Sequence, residues 1–354
     1  METTSKTHYQ DASQMAFQPD ESVHLVVTSP PYPMIEMWDD VFRFQSEKAV
    51  TAMERGDGAA AFEAMHEVLD GVWAELYRVL APGCLACINI GDATRTVADD
   101  FSLYTNHARI LSACLALGFT ALPDILWRKQ TNAPNKFMGS GMLPGGAYVT
   151  LEHEYVLVLR KGGKREFDTP EEKRLRRESA YFWEERNSWF SDIWFDIKGA
   201  RQDLFGMPEL RKRSGAYPFE LAWRLVNMYS AKGDTVLDPF AGTGTTMAAA
   251  LVGARNFVGC EVDPGMEDCV AGMVSRIPEF ANQVVGQRLS RHREFIETRT
   301  RDKGPPKHFN ENYGFGVVTR QEKDILFSEL MEVIPKGPGE YLARYTEEPT
   351  PRII

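Results

Sequence analysis

The sequence predicts an α/β protein with an open parallel sheet, and three stretches predict it. The first is Asp238-Pro239-Phe240-Ala241-Gly242-Thr243-Gly244-Thr245-Thr246, between the apolar run Thr235-Val236-Leu237 and the Ala-rich run 247–251. It reads as strand, glycine turn and first helical turn. Gly242 and Gly244 let the backbone approach a ligand with no Cβ in the way. The free N–H groups and partial positive charge of the helix start then face that ligand. The second stretch, Phe257-Val258-Gly259-Cys260, ends in Glu261, placed to accept hydrogen bonds from ribose hydroxyls. The third is the strand Val23-His24-Leu25-Val26-Val27, which runs into Thr28-Ser29-Pro30-Pro31-Tyr32-Pro33. Consecutive prolines stop a central strand, so Ser29 to Tyr32 project from its carboxyl end. That edge is where open parallel sheets bind ligands.

Composition bounds the rest. A chain of 354 residues with 43% apolar and 25% charged residues has the make-up of a soluble globular protein with one large domain or two. No run reaches the length of a membrane span, and METTSKTHYQD lacks a basic-then-apolar leader pattern, so a cytoplasmic protein is expected. Five cysteines without regular spacing fit reduced thiols. Cys84 and Cys87 form one C-x-x-C inside an apolar run with no second Cys/His pair, so buried strand cysteines are expected in place of a zinc site. The net charge of −10 speaks against nucleic acid only on average, since binding depends on local charge. Residues 160–213 carry a net +3, clustered as Arg160-Lys161, Lys164-Arg165, Lys173-Arg174, Arg176-Arg177 and Arg211-Lys212-Arg213. A solvated helix face and a nucleic-acid surface both fit such runs.

Along the chain, a short lead to residue 17 precedes the strand 23–27. Phe62, Met65, Val68, Leu69, Val72, Leu76 and Leu80 share one side of a helix over 60–80. Ala81-Pro82-Gly83 ends it, and a buried strand follows at 84–90. A helix near 107–117 and a strand at 122–127 come next. Residues 128–150, rich in Gly, Pro, Asn and Ser, read as a long loop, functional or disordered, whose composition suits a nucleic-acid surface and also fits a lid. A strand occupies 154–159. From 161 to about 210 the pattern is charged and aromatic, with no strand–helix alternation, and reads as an inserted module. Trp183, Trp189, Phe190, Trp194 and Phe195 there read as packing ahead of base stacking. Trp127 and His153 read as core or satisfied polar residues. A helix over 218–230 leads back to the strand at 235. Beyond 285 lie two Gly/Pro breaks and no recognisable chemistry.

Taken together, Ser29-Pro30-Pro31-Tyr32 and Asp238 to Thr246 resemble the amino-group DNA methyltransferases, which methylate the exocyclic amine of cytosine or adenine. The tetrapeptide precedes the cofactor loop, as in the permuted β subgroup. Pro82-Gly83 with Asn89-Ile90-Gly91-Asp92 looks like the family's "PGG…NIGD" segment. Glu152 to Val158 looks like its "HEY(I/V)L" strand. Arg213 to Leu221 looks like "HPAxFPxxL", with Arg and Ser in the His-Pro positions. The resemblance covers about residues 8–270. It implies a Rossmann-like S-adenosyl-L-methionine-dependent sheet, circularly permuted, with an inserted target-recognition module. The expected organisation is a catalytic half over 1–160, the module over 161–212, a cofactor half over 213–285 and an extension over 286–354.

The resemblance also implies roles. The target base is flipped from duplex DNA, because its amine is otherwise paired and stacked. Tyr32 stacks on it, and the Ser29 side chain and Pro30 carbonyl accept from the amine, with Pro31 completing the catalytic tetrapeptide. No strong base and no nucleophilic cysteine are needed. Asp238, Phe240, Gly242, Gly244 and Thr245 form the cofactor loop, most of it around the methionine moiety. Phe219 packs on the same moiety, Glu261 holds the ribose, and Asp11 meets the adenine amine. Ser29, where other members have Asp, leans the target to cytosine-N4, with adenine-N6 as the alternative. An RNA or small-amine methyltransferase and a catalytically silent DNA-binding module are the rival classes. Double-stranded DNA is the expected partner and no membrane is. The reading is compatible with a homodimer and with a cognate restriction endonuclease on a separate chain.

Overall fold

The computed structural model describes residues 1–129, 138–199 and 217–346. The first elements are β1 (Glu2–His8), β2 (Val23–Thr28), α1 (Asp39–Gln45), α2 (Glu47–Glu54), α3 (Gly58–Val79) and β3 (Leu80–Ile90). The hairpin β4 (Ala93–Val97) and β5 (Asp100–Tyr104), α4 (Asn106–Ala116), β6 (Phe119–Ala121) and β7 (Ile125–Arg128) follow. Next are β8 (Met138–Gly139), β9 (Ala147–Tyr148), β10 (His153–Lys161), α5 (Pro170–Glu178), α6 (Trp183–Trp189) and β11 (Ile193–Trp194). Then come α7 (Phe219–Tyr229), β12 (Thr235–Asp238), α8 (Thr245–Val252), β13 (Asn256–Cys260), α9 (Glu267–Val274) and α10 (Ile277–Lys303). The chain closes with β14 (His308–Phe309), β15 (Gly316–Val317), β16 (Leu330–Gly337) and β17 (Glu340–Tyr345).

One mixed sheet runs in the order β11-β7-β10-β3-β2-β12-β13-β1-β17-β16, with β6 beside β10. Its centre, β3-β2-β12-β13-β1, is parallel; β10 and β17 pair antiparallel on either side of it. Strands covered on both faces need apolar residues throughout, which is why β2 and β12 read as short continuous runs. Leu25 and Val27 pack with α7 and α8 on one face, and Val26 packs with α3 on the other. Asp57 caps α3 by accepting from Ala60 N at 2.9 Å, and Met65, Leu69, Val72 and Leu76 form its buried face. From β2 the chain steps through α3 to β3; from β12 it steps through α8 to β13 in the opposite direction. The order therefore reverses between β2 and β12, and a crevice opens at their carboxyl ends.

The strands and helices expected from 23 to 127, at 154–159 and from 218 to 260 are present. Ahead of the expected lead, over residues for which no element was expected, β1 pairs parallel with β13. The boundary expected at 285 falls inside α10, and the segment beyond it supplies β17, which pairs with β1. Tyr345 anchors it by donating from its hydroxyl to Leu251 O at 2.8 Å.

The described part of the 161–212 module is woven into the core. β11 pairs with β7, Trp189 and Trp194 are buried, and Trp127 Nε1 donates to Ile197 O at 2.8 Å. Trp183 and Phe195 stay exposed. Arg165 pairs with Asp234, Arg174 with Glu171 and Glu178, and Arg177 with Asp324. Much of the basic patterning there is thus neutralised within the molecule. Residues 130–137 of the expected loop, and Arg211 to Ala216, lie outside the described residues. All five cysteines are buried, with Cys84 and Cys87 on β3. Among the described residues no helix is long and apolar enough to cross a membrane.

Candidate active site

β2 and β12 pair in register Leu25 to Val236 and Val26 to Leu237, so the tetrapeptide and the glycine loop leave the sheet side by side. Asp238 ties them together. Its Oδ1 accepts from Thr28 Oγ1 at 2.6 Å and Phe240 N at 3.0 Å. Its Oδ2 accepts from Thr246 Oγ1 at 2.6 Å and Tyr217 Oη at 3.3 Å. Burial pushes this carboxyl up to about 6 even against those four hydrogen bonds. Gly242 (φ 52°) and Gly244 (φ 86°) take the left-handed backbone that turns the loop. A Cβ at Gly244 would stand 2.9 Å from Met273 Cε.

The crevice is a cleft of about 220 Å³ lined by Asp11, Ser29, Phe240, Gly242, Thr245 and Glu261, with Pro30 and Pro31 beside Ser29. Glu261 accepts from Gly242 N at 2.8 Å and Asp263 N at 2.9 Å, and burial raises its pKa. Asp11 arrives because β1 ends next to β13, where Glu261 N donates to His8 O at 3.0 Å. The Asp11 side chain is exposed and accepts from Ser13 N at 2.7 Å. Phe240 meets Trp73 edge-on, and Val262 stands 51% exposed at the rim.

Two expected cofactor contacts are placed elsewhere. Phe219 does not line this cleft: it opens α7 and packs on Trp223 and Phe280. Tyr217, two residues earlier, takes the place beside the loop. The signal was in the sequence, since the aromatic position of the "HPAxF" pattern falls on Tyr217. Gly244 likewise sits behind the cleft, where it starts α8. Asp238 does line the cleft, with its oxygens engaged by the protein's own donors.

Tyr32 stands half-buried behind Ser29. Its hydroxyl donates to Glu154 Oε2 at 2.9 Å and accepts from Asn89 Nδ2 at 2.9 Å and from Ser29 Oγ at 3.2 Å. Burial, then the neighbouring Glu154 charge, pushes the phenol well above its ordinary pKa. Asn89 also donates to Glu154 Oε2 at 2.7 Å, and Lys129 Nζ holds Oε1 at 2.7 Å. Asn89 comes from β3 and Glu154 from β10, which pair across the sheet. Sequence reasoning gave these two no task.

A family model described as DNA methylase, named for the N6 and N4 methyltransferases, matches residues 23–271. The chain belongs to this family of amino-group DNA methylases. Type II methyltransferase M.MthZI of Methanothermobacter thermautotrophicus is 51% identical over 326 residues, 92% of this chain and 90% of that protein. Type II methyltransferase M.MjaI of Methanocaldococcus jannaschii is 47% identical over 279 residues, 76% of this chain and 90% of that one. Among solved structures, TTHA0409 of Thermus thermophilus in complex with S-adenosyl-L-methionine matches with TM-score 0.58 and 33% identity. That match covers 77% of this chain and 93% of the other. PvuII DNA methyltransferase (cytosine-N4-specific) shares the fold at TM-score 0.53 and 17% identity, over 80% and 93% of the two chains.

The methylase uses S-adenosyl-L-methionine, and the cleft's chemistry suits it. Two carboxylates, Asp11 and Glu261, offer acceptors for an amine and hydroxyls. Phe240 and Val262 offer apolar surface for a flat ring, and the glycine turn brings backbone close without side chains.

Proposed function

We propose that this Type II DNA methylase methylates the exocyclic N4 amine of a cytosine flipped from duplex DNA. The observation that carries the reading is that Ser29 and Pro30 line the same cleft as Asp11, Phe240 and Glu261, one strand away. In this reading Glu261 holds the ribose hydroxyls, Asp11 the adenine amine, and Gly242 and Thr245 the methionine end. Tyr217 supplies the aromatic wall expected of Phe219. Asp238 lines the cleft and shapes the loop, with Gly244 behind it. Bound there, S-adenosyl-L-methionine supplies an electrophilic methyl on a sulfonium.

The protein's own work is orientation. An aromatic amine is a poor nucleophile because its lone pair is delocalised into the ring. Acceptors at Ser29 Oγ and the Pro30 carbonyl hold the amine's protons and turn its lone pair toward the methyl. Such positioning and electrostatic help supply most of the acceleration. Pro31 fixes the turn, and Tyr32 offers a ring face to the flipped base. Ser29 at the head of the tetrapeptide supports cytosine over adenine. The tetrapeptide preceding the cofactor loop supports the permuted β order. Residues 161–212, with the loop 128–150, are assigned to target recognition. The Type II names of the relatives support a cognate restriction endonuclease on a separate chain.

The test incubates purified protein and methyl-labelled cofactor with unmodified duplex DNA, followed by mass spectrometry of the nucleosides. N4-methylcytosine is expected. N6-methyladenine overturns the choice of base. Label in RNA alone moves the substrate class, and no label in any nucleic acid leaves a silent binding module.

A further inference from the structure

We propose that Glu154 is a positioning residue for methyl transfer: acting through Tyr32, it turns the Ser29 hydroxyl so that its oxygen faces the target amine as an acceptor. The inference rests on the reading that Ser29 accepts from that amine. It follows from counting protons and lone pairs around one oxygen. A carboxylate can only accept, so at 2.9 Å from Glu154 Oε2 the Tyr32 hydroxyl must donate. Its proton is then committed. Asn89 Nδ2, at 2.9 Å, fills one of its lone pairs. Ser29 Oγ, at 3.2 Å, donates into the other. With its only proton spent on Tyr32, Ser29 presents lone pairs to the cleft it lines.

Direction matters here because a serine hydroxyl free to rotate can also donate. Donation to the amine would engage the electrons that must attack the methyl. Glu154 removes that choice from two hydrogen bonds away. Both its oxygens are held, Oε1 by Lys129 and Oε2 by Tyr32 and Asn89. Asn89 supplies a second sign of the same control. Its Oδ1 is buried and has no hydrogen-bond partner among the described residues. Turning the amide over would set that oxygen against the Glu154 carboxylate, so the amide keeps both donors on the network and leaves its acceptor unused. The "NIGD" and "HEY" segments thereby acquire a task, since Asn89 and Glu154 belong to them.

A double-mutant cycle tests this, using single-turnover methyl transfer to duplex DNA at saturating cofactor. Glu154→Gln is expected to slow transfer about 30-fold, within the range for lost preorganisation. Its cofactor and DNA dissociation constants should stay within about twofold of wild type. Tyr32→Phe, which keeps the ring and removes the hydroxyl, cuts the same route. In that background Glu154→Gln should add less than about twofold. An undiminished Glu154→Gln effect in the Tyr32→Phe background, or no effect in the single variant, overturns the proposal. If Glu154→Gln does not fold, Lys129→Gln/Glu154→Gln removes the cation with the anion and carries the same cycle. Wild-type protein that transfers no methyl to duplex DNA overturns the function and this inference with it. Wild-type protein that turns over but shows an additive cycle overturns the inference alone.

Discussion

The two walls of the cleft are built on opposite plans. On the β12 side one carboxylate, Asp238, is 2% exposed and engages four donors of the protein itself. Loop shape there is set by buried contacts before a ligand arrives. On the β2 side the polar groups form a chain from half-buried Ser29 through Tyr32 and Glu154 to Lys129, whose side chain is 48% exposed. That wall ends at the mouth of the long loop after β7. The β12 wall is therefore a mould held by buried contacts, and the β2 wall is a network whose far end faces solvent.

The largest effects should come from the mould. Asp238→Ala removes the acceptor of the Thr28 hydroxyl and of Phe240 N, leaves the Thr246 and Tyr217 hydroxyls to share Val27 O, and should cost about 4 kcal/mol of stability, along with cofactor affinity. Ser29→Ala should cost under about 1 kcal/mol while lowering turnover at least about tenfold. Chemical denaturation and single-turnover assays of the two variants compare the walls directly. Equal stability losses would erase the contrast.

The second effect is on pH. Burial raises the Asp238 carboxyl from 3.8 to about 6. Between those values the native state holds the proton more firmly than the unfolded chain. Its stabilising contribution is therefore full below about 4 and is lost as pH rises through about 6, a change of about 3 kcal/mol. Thermal unfolding across that window should show a component that Asp238→Asn removes.

Next in size is Gly244→Ala, which combines a left-handed backbone with a 2.9 Å approach to Met273 Cε and should cost about 2 kcal/mol. Smallest is Tyr217→Phe. Loss of the hydroxyl should cost about 1 kcal/mol, with cofactor affinity held within about threefold by the remaining ring. Isothermal titration with cofactor separates this from Tyr217→Ala, for which a loss of at least about tenfold is expected. Equal affinity in both would remove Tyr217 from the cofactor wall.

Much of this architecture was legible because its signals are local. The strand ending in Ser29 to Tyr32 and the turn after Asp238 are written in consecutive residues, and the structure brings them together. The reading failed where burial is polar or the partner is distant. β1 has the sequence ETTSKTH, whose inward residues are Thr3, Ser5 and Thr7. A strand that buries hydroxyls gives no hydrophobic alternation, so Asp11 was placed by resemblance with no strand to carry it. β17 could not be foreseen for a different reason: its partner β1 lies at the other end of the chain. The charge runs left two readings open because the partners of Arg165 and Arg177, Asp234 and Asp324, are carboxylates distant in sequence.

The sequence by itself determined the parallel α/β class, the two motif-bearing strand ends and the carboxylate after β13, since each depends on neighbours a few residues apart. Only the tertiary structure decided that the tail completes the sheet and that Glu154 and Asn89 meet Tyr32. Those outcomes depend on which strands pair and on where a donor finds its acceptor. A hydrogen bond spanning 122 residues, as between Tyr32 and Glu154, leaves no periodicity in the chain and exists only once β10 lies against β3.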